Sequence, residues 1–138
     1  MSGYTGGAPR FDYGARIERL REQMARKYVD VVMLSVGSDL PYFSGYEATP
    51  LERLTMLVIP AEGDSALFVP ELEAARVEPG DFDLVAWGET DDAIRLVAQF
   101  AGGARHVAIG DHTWSTFLLG LQAELPETIW SVASTLTK

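Results

Sequence analysis

The sequence contains no cysteine, only two histidines and no apolar run of eighteen residues. Without cysteine there are no disulfides, no thiolate metal sites and no thiol nucleophile, so packing alone must hold the fold. Without a long apolar run no helix can span a bilayer. The amino terminus MSGYTGGAPR also lacks the charged start and apolar stretch of an export signal, so the expectation is a soluble, cytoplasmic chain that needs no membrane. Positive charge is scarce: 11 basic residues stand against 20 acidic ones, for a net charge of -9. Six of the basic residues precede Tyr28, whereas seventeen of the acidic ones follow it. An acidic body of this kind repels nucleic acid, and Arg16, Arg19, Arg21, Arg26 and Lys27 read as the solvated face of one helix.

Several catalytic signatures are missing too. No G-x-G-x-x-G fingerprint follows the first strand, where Ser35-Val36-Gly37-Ser38-Asp39 stands instead. There is no G-x-x-x-x-G-K-[ST] phosphate loop and no G-x-S-x-G elbow, so Ser38 and Ser44 lack the setting of a nucleophile.

What is present fills one core. With 138 residues, 47% of them apolar, a single domain is expected. Residues 1–9, rich in Gly, Ser, Thr and Ala, read as a flexible leader, the domain itself as 10–133, and 134–138 as the start of a linker. Ile17, Leu20, Met24 and Tyr28 recur at helical spacing from Tyr13. Val31-Val32-Met33-Leu34 is apolar without alternation, which suits a strand covered on both faces. Strands at 54–59 and 66–69 flank the turn-rich Pro60 to Ser65 as an antiparallel hairpin. A short acidic helix near Glu71 and a strand at 84–87 come next. A helix capped by Thr90 or Asp91 then runs through Ile94, Val97 and Phe100 to Gly102-Gly103. Val107 to Ile109 is a further strand, and Asp111 or Thr113 can cap a helix presenting Phe117, Leu118, Leu121 and Leu125 up to Pro126. A last strand lies near 129–132. Strands and helices alternate at both ends of the chain while a hairpin interrupts the middle, so the expected fold is a three-layer α/β domain with a mixed sheet and helices on both faces.

Chemistry-bearing groups have structural readings beside functional ones. His106 and His112 flank one strand and Asp111 adjoins the second, but a turn and a helix cap account for these residue types without an ion. Glu89, Asp91 and Asp92 likewise suit a helix start. The segment 40–53 is the unusual one, with Tyr42, Phe43 and Tyr46 inside five residues, Gly45 for a turn, and Arg53 as a lone cation in an acidic setting. It serves either as a plug for the end of the core, with Tyr42 the ring best assigned inside and Arg53 neutralising Glu47 or Glu52, or as a ligand-facing loop.

At this segment the chain resembles the amino-terminal domain of the creatinase, prolidase and aminopeptidase P family. The likeness rests on the opening helix Ile17 to Tyr28, the strand Val31 to Leu34, the stretch Leu40 to Tyr46, Arg53, the strand Leu57 to Pro60 and the stretch Phe68 to Glu73. The resemblance implies a ribonuclease H-like mixed sheet joined to a carboxy-terminal catalytic domain of pita-bread fold that is absent from these 138 residues. In the family that second domain supplies two Asp, one His and two Glu to a pair of divalent metals, manganese, cobalt or zinc. None of those ligands carries over to this chain, so the fragment alone is expected to be inactive. The implied parent is an Xaa-Pro dipeptidase or aminopeptidase P-like metallopeptidase, in which this domain shapes the substrate cleft and contributes to a homodimer. Phe43, Tyr46 and Arg53 are then candidates to face a peptide substrate. The alternatives are a stand-alone binding or interaction module of the same fold and the amino-terminal domain of a creatinase-like amidinohydrolase.

Overall fold

A computed structural model of the chain describes residues 12–48 and 53–137. The proposed leader 1–9, Glu52 and Lys138 lie outside these residues. The elements are α1 (Tyr13–Lys27), β1 (Val31–Leu34), α2 (Asp39–Ser44), β2 (Met56–Pro60), β3 (Ala66–Pro70), α3 (Glu71–Ala74), β4 (Asp83–Trp87), α4 (Ala93–Phe100), β5 (His106–Ile109), α5 (Ser115–Glu124), β6 (Ile129–Val132) and α6 (Ser134–Thr137).

The six strands form one sheet in the order β4-β3-β2-β1-β5-β6. β2 runs antiparallel to β1 and β3, and the other neighbours pair in parallel. The mixed sheet with helices on both faces is as the alternation of elements requires. β1 lies in its middle, and all four of its residues are buried. Val32 and Leu34 point toward α1, α2 and α6, whereas Val31 and Met33 join the opposite cluster with Val97 of α4 and Leu121 of α5. In-register partners share a face: Val32 sits opposite Ile59 and Met33 opposite Val58. A continuous apolar run is therefore two alternating sets, each covered by its own helical layer. Each fully buried Leu or Ile of this kind contributes about 1.5–3 kcal/mol relative to exposure.

α1 starts where the Asp12 side chain accepts from Ala15 N at 2.9 Å, and it buries Ile17, Leu20 and Met24. Tyr28, expected on that stripe, is instead the helix C-cap in a left-handed conformation (φ 59°) and is 85% exposed. The positively charged face of α1 is only partly solvated. The Arg21 guanidinium donates to Pro60 O at 3.0 Å and to Gly63 O, tying the helix to the β2–β3 turn.

Three further expectations, the loop at 35–53 and the caps of α4 and α5, need correction. The stretch read as a loop from Ser35 to Arg53 contains α2. Pro41 is tolerated there because it falls in the first turn, where no intrahelical donor is needed, and Gly45 ends the helix at φ 78°. α4 is capped by Asp92, which accepts from Arg95 N at 3.2 Å, rather than by Thr90 or Asp91; the Asp91 carboxylate accepts from Gly88 N at 2.7 Å. α5 begins after Trp114 with no side-chain cap. Asp111 faces α6 instead, accepting from Ser134 N (3.0 Å) and Ser134 Oγ (2.6 Å), while Thr113 Oγ1 lies 2.9 Å from Ser35 Oγ. The stretch expected to open a linker is, through Thr137, the helical turn α6 with Leu136 buried in the core.

Candidate functional site at the carboxyl edge of the sheet

The sheet order gives its two ends different chemistry. β1, β3, β4, β5 and β6 all run one way, so their carboxyl ends, together with the start of β2, lie along a single edge. Along it are 35–39 after β1, Arg53 to Thr55 before β2, Gly88 to Asp92 after β4 and Gly110 to Trp114 after β5. This is the edge where open α/β sheets hold ligands.

Three clefts lie along it: a wide one of about 660 Å³ between Arg53 and the Glu89 to Asp92 stretch, and two smaller ones that adjoin at Ser35, Val36 and His112. One of the smaller pair, of about 230 Å³, is lined by Ser35, Arg53, Thr55, His112, Trp114 and Phe117. The other, of about 190 Å³, lies on the α6 side and includes Ser35, Asp39, Asp111, His112 and Ser134. Gly110 allows the two loops that separate them to approach. Its N–H donates to Met33 O at 2.8 Å, and a Cβ there would come within 3.3 Å of Thr113 Oγ1. Trp114 is 44% exposed, and its ring stacks on Phe117 with centroids 5.8 Å apart and planes 9° from parallel. Arg53 pairs with Glu89 at 3.3 Å, not with Glu47, and both side chains stay largely exposed. A contact so exposed contributes only about 0–1 kcal/mol and leaves the guanidinium available to another anion.

The three residues singled out in the sequence are not brought together. Arg53 lines the cleft. Phe43 is buried on α2 against the α1 layer, with its edge-to-face partner Tyr42 at 4.9 Å. Tyr42, expected inside, is 45% exposed: the Arg16 guanidinium lies 4.1 Å from its ring centroid and donates to its carbonyl at 2.7 Å. Tyr46 is buried, and its hydroxyl donates to Glu73 Oε1 at 3.2 Å. Burial raises the Tyr46 phenol above its ordinary value, and the hydrogen bond to Glu73 and that carboxylate's charge push the same way, opposed by Arg76. The neutral phenol is thereby favoured.

Sequence reading missed His112 and Trp114 as cleft residues. The available signal was position: aromatic residues at 114 and 117 and a histidine at 112 directly follow a buried strand of an α/β sheet. The two histidines separate sharply. His106 is the first residue of β5, its ring spanning Tyr28 O (3.1 Å) and Ser131 Oγ (2.8 Å), whereas His112 borders both clefts. Among the described residues no three His, Asp or Glu side chains converge into a potential cation cage, so none is assigned to a metal. No helix among them is long and apolar enough to cross a membrane.

Residues 16–138 match the model of the creatinase/prolidase N-terminal domain. A probable dipeptidase PepE of Mycobacterium bovis is 33% identical over 106 residues, covering 71% of this chain and 28% of the relative. The crystal structure of dipeptidase PepE from Mycobacterium ulcerans superimposes with a TM-score of 0.81 at 30% identity, over 93% of this chain and 37% of that one. The N-terminal domain of an Xaa-Pro dipeptidase from Lactobacillus brevis superimposes with a TM-score of 0.79 at 19% identity, covering 88% of this chain and 97% of that domain. The chain spans about a quarter of the length of the curated relatives it matches.

Proposed function

The chain belongs to the creatinase/prolidase N-terminal domain family, and from that premise we propose that it is the non-catalytic amino-terminal domain of a longer Xaa-Pro dipeptidase or aminopeptidase P-like metallopeptidase. The observation that carries this reading is coverage. A lone N-terminal domain of an Xaa-Pro dipeptidase matches this chain almost end to end, whereas whole dipeptidases extend far beyond it. In that setting the domain shapes the mouth of the substrate cleft and contributes to a homodimer. Its exposed cation Arg53 pairs with a peptide carboxylate through its planar fork. Phe43 and Tyr46 act from behind it, holding α2 and the turn that closes it against the core. Two divalent ions, manganese, cobalt or zinc, would be held by the catalytic domain and not by residues of this chain, and would there supply an activated water for hydrolysis.

The test compares the purified 138-residue chain with the chain extended past Lys138, on Xaa-Pro dipeptides with each metal added. Turnover is expected only from the longer protein. Reproducible turnover by the short chain, or turnover of creatine in place of dipeptides by the long one, would overturn the reading.

A further inference from the structure

β4 and β6 are the outermost strands of the sheet. Backbone groups on the outer side of such a strand have no neighbour in the sheet, and proteins commonly guard them with charge or proline. The two strands differ in this respect. β4 carries Asp83 and is flanked by Asp81 and Glu89, whereas no charged residue occurs from Thr128 to Thr137, through β6 and α6, in a chain of net charge -9. Two apolar side chains of β6 are also uncovered: Ile129 is 68% exposed and Val132 46%.

Strand alternation fixes which groups of β6 point outward. Ile129 N donates to Arg105 O at 2.8 Å and Ala133 N donates to Ile109 O at 2.7 Å, so the odd-numbered residues turn their backbone to β5 while Trp130 and Val132 turn theirs away from it. Their side chains share the α4 and α5 face, where Trp130 packs on the cluster of Val97 and Leu121 and Val132 stands in register with Ile109. A second β6, antiparallel and related by a twofold axis through Ser131, matches these groups. Trp130 then exchanges two hydrogen bonds with Val132 of the second copy, and Val132 does the same with the second Trp130. The Val132 carbonyl, which already accepts from Thr135 Oγ1 at 2.9 Å, keeps a second lone pair for this contact. In that register an aromatic ring meets a β-branched side chain, Ile129 falls opposite Ala133, and Glu127 falls opposite the uncharged Thr135. β4 offers no such match. Asp83 N donates to Ser65 O, so Leu84 and Ala86 point outward, and the equivalent pairing centred on Val85 sets Asp81 against Glu89 of the second copy at both ends. We infer that β6 is a homodimer seam, at which two copies join their six-stranded sheets into one continuous sheet. This deepens the homodimer proposed above by naming its contact, while the strand geometry belongs to this chain alone.

The experiment is sedimentation velocity of the 138-residue chain from about 10 μM to about 1 mM. One strand pair buries less than the roughly 1,200 Å² of a stable complex, so weak dimerisation is expected, with a dissociation constant of about 100 μM. Ile129→Glu should raise that constant about tenfold or more, because charge on an outer strand opposes pairing. Leu72→Glu, an apolar-to-acid change at an 80% exposed position on α3, should leave it within about twofold. Ser131→Cys reads the register. At a non-hydrogen-bonded antiparallel pair the Cα atoms lie about 4.5 Å apart, within disulfide reach, and no native cysteine competes. Mild oxidation should give a covalent dimer of Ser131→Cys and none of Leu84→Cys. A chain that stays monomeric at about 1 mM would overturn the inference without requiring any variant to fold. Equal effects of Ile129→Glu and Leu72→Glu, or cross-linking through position 84 rather than 131, would overturn it as well. A monomeric domain beside metal-dependent turnover by the longer chain would leave the peptidase reading intact. A dimeric domain beside an inactive longer chain would have the opposite meaning.

Discussion

The two ends of the sheet differ in how they use polar side chains. At the amino end of β5 those groups hold the backbone. One Asp30 carboxylate oxygen accepts from both Arg105 N (2.8 Å) and His106 N (3.0 Å), Thr128 donates to Ala104 O, and the His106 ring bridges Tyr28 O to Ser131. Arg21 similarly fastens the β2–β3 turn at this end. At the carboxyl end Arg53, His112 and Trp114 line open clefts, and the Arg53 ion pair is exposed on both sides. Two histidines, one opening β5 and the other three residues past its end, thus have unlike roles: one is a staple, the other borders a site. Residue type alone does not separate them, because hydrogen-bond partners come from strands distant in the sequence. The division matches the general pattern of parallel α/β sheets, whose amino ends serve stability and whose carboxyl ends serve function.

Breaking the strand that both ends share should have the largest effect. Val32 is fully buried between Ile59 and Ala108, and Val32→Asp places a charge there without a partner. That costs several kcal/mol against a total stability of about 5–15 kcal/mol, so no cooperative melting transition is expected by calorimetry. A soluble, cooperatively melting Val32→Asp protein would contradict the central placement of β1.

The histidine pair sharpens the comparison directly. His106→Ala removes two hydrogen bonds and should lower stability by about 1–2 kcal/mol, a drop of several degrees in Tm. His112→Ala should stay within about 0.5 kcal/mol of the parent in denaturant titration. Equal losses at both positions would erase the distinction between the ends.

A smaller effect is expected at Tyr46. Because folding raises its phenol above 10.0, the native state keeps a proton that the unfolded chain releases, and the stability this gives is complete below about pH 10 and fades as pH rises toward the folded value. Tyr46→Phe should cost about 1 kcal/mol at pH 7 from the lost Glu73 contact. The difference between the two proteins should narrow above pH 10 in urea unfolding measured across pH. A gap that widens there would reverse the assignment.

Much of the fold was legible in the sequence because it depends on local pattern. The run at Val31 to Leu34, the turn-rich break at Pro60 to Ser65 and the spacing of Ile17, Leu20 and Met24 each specify their element through burial period. α2 was not legible, since six residues with Pro41 and a closing glycine are too short for periodicity to register and carry loop-like composition. The caps of α4 and α5 failed for a related reason. Adjacent acceptors such as Thr90, Asp91 and Asp92 are equivalent in pattern, and they separate only in the fold, where Asp91 turns back to Gly88 N and Asp92 faces Arg95 N. At the site, Arg53 stood out as a cation in an acidic chain. The inward and outward assignments of Tyr42 and Phe43 depended on the unrecognised helix, and Trp114 gained its meaning only once β1 and β5 were known to be neighbours.

The central proposal is that the carboxyl edge would face substrate in a longer peptidase while contributing little to stability. It is tested most directly by kcat/KM for an Xaa-Pro dipeptide in the full-length Arg53→Ala protein, with thermal melting recorded on the same preparation. The account predicts a fall of about 10- to 100-fold, the loss of a charge-assisted carboxylate contact, with Tm unchanged within about 1 °C. An unchanged kcat/KM, or a loss that follows a lowered Tm, would contradict it.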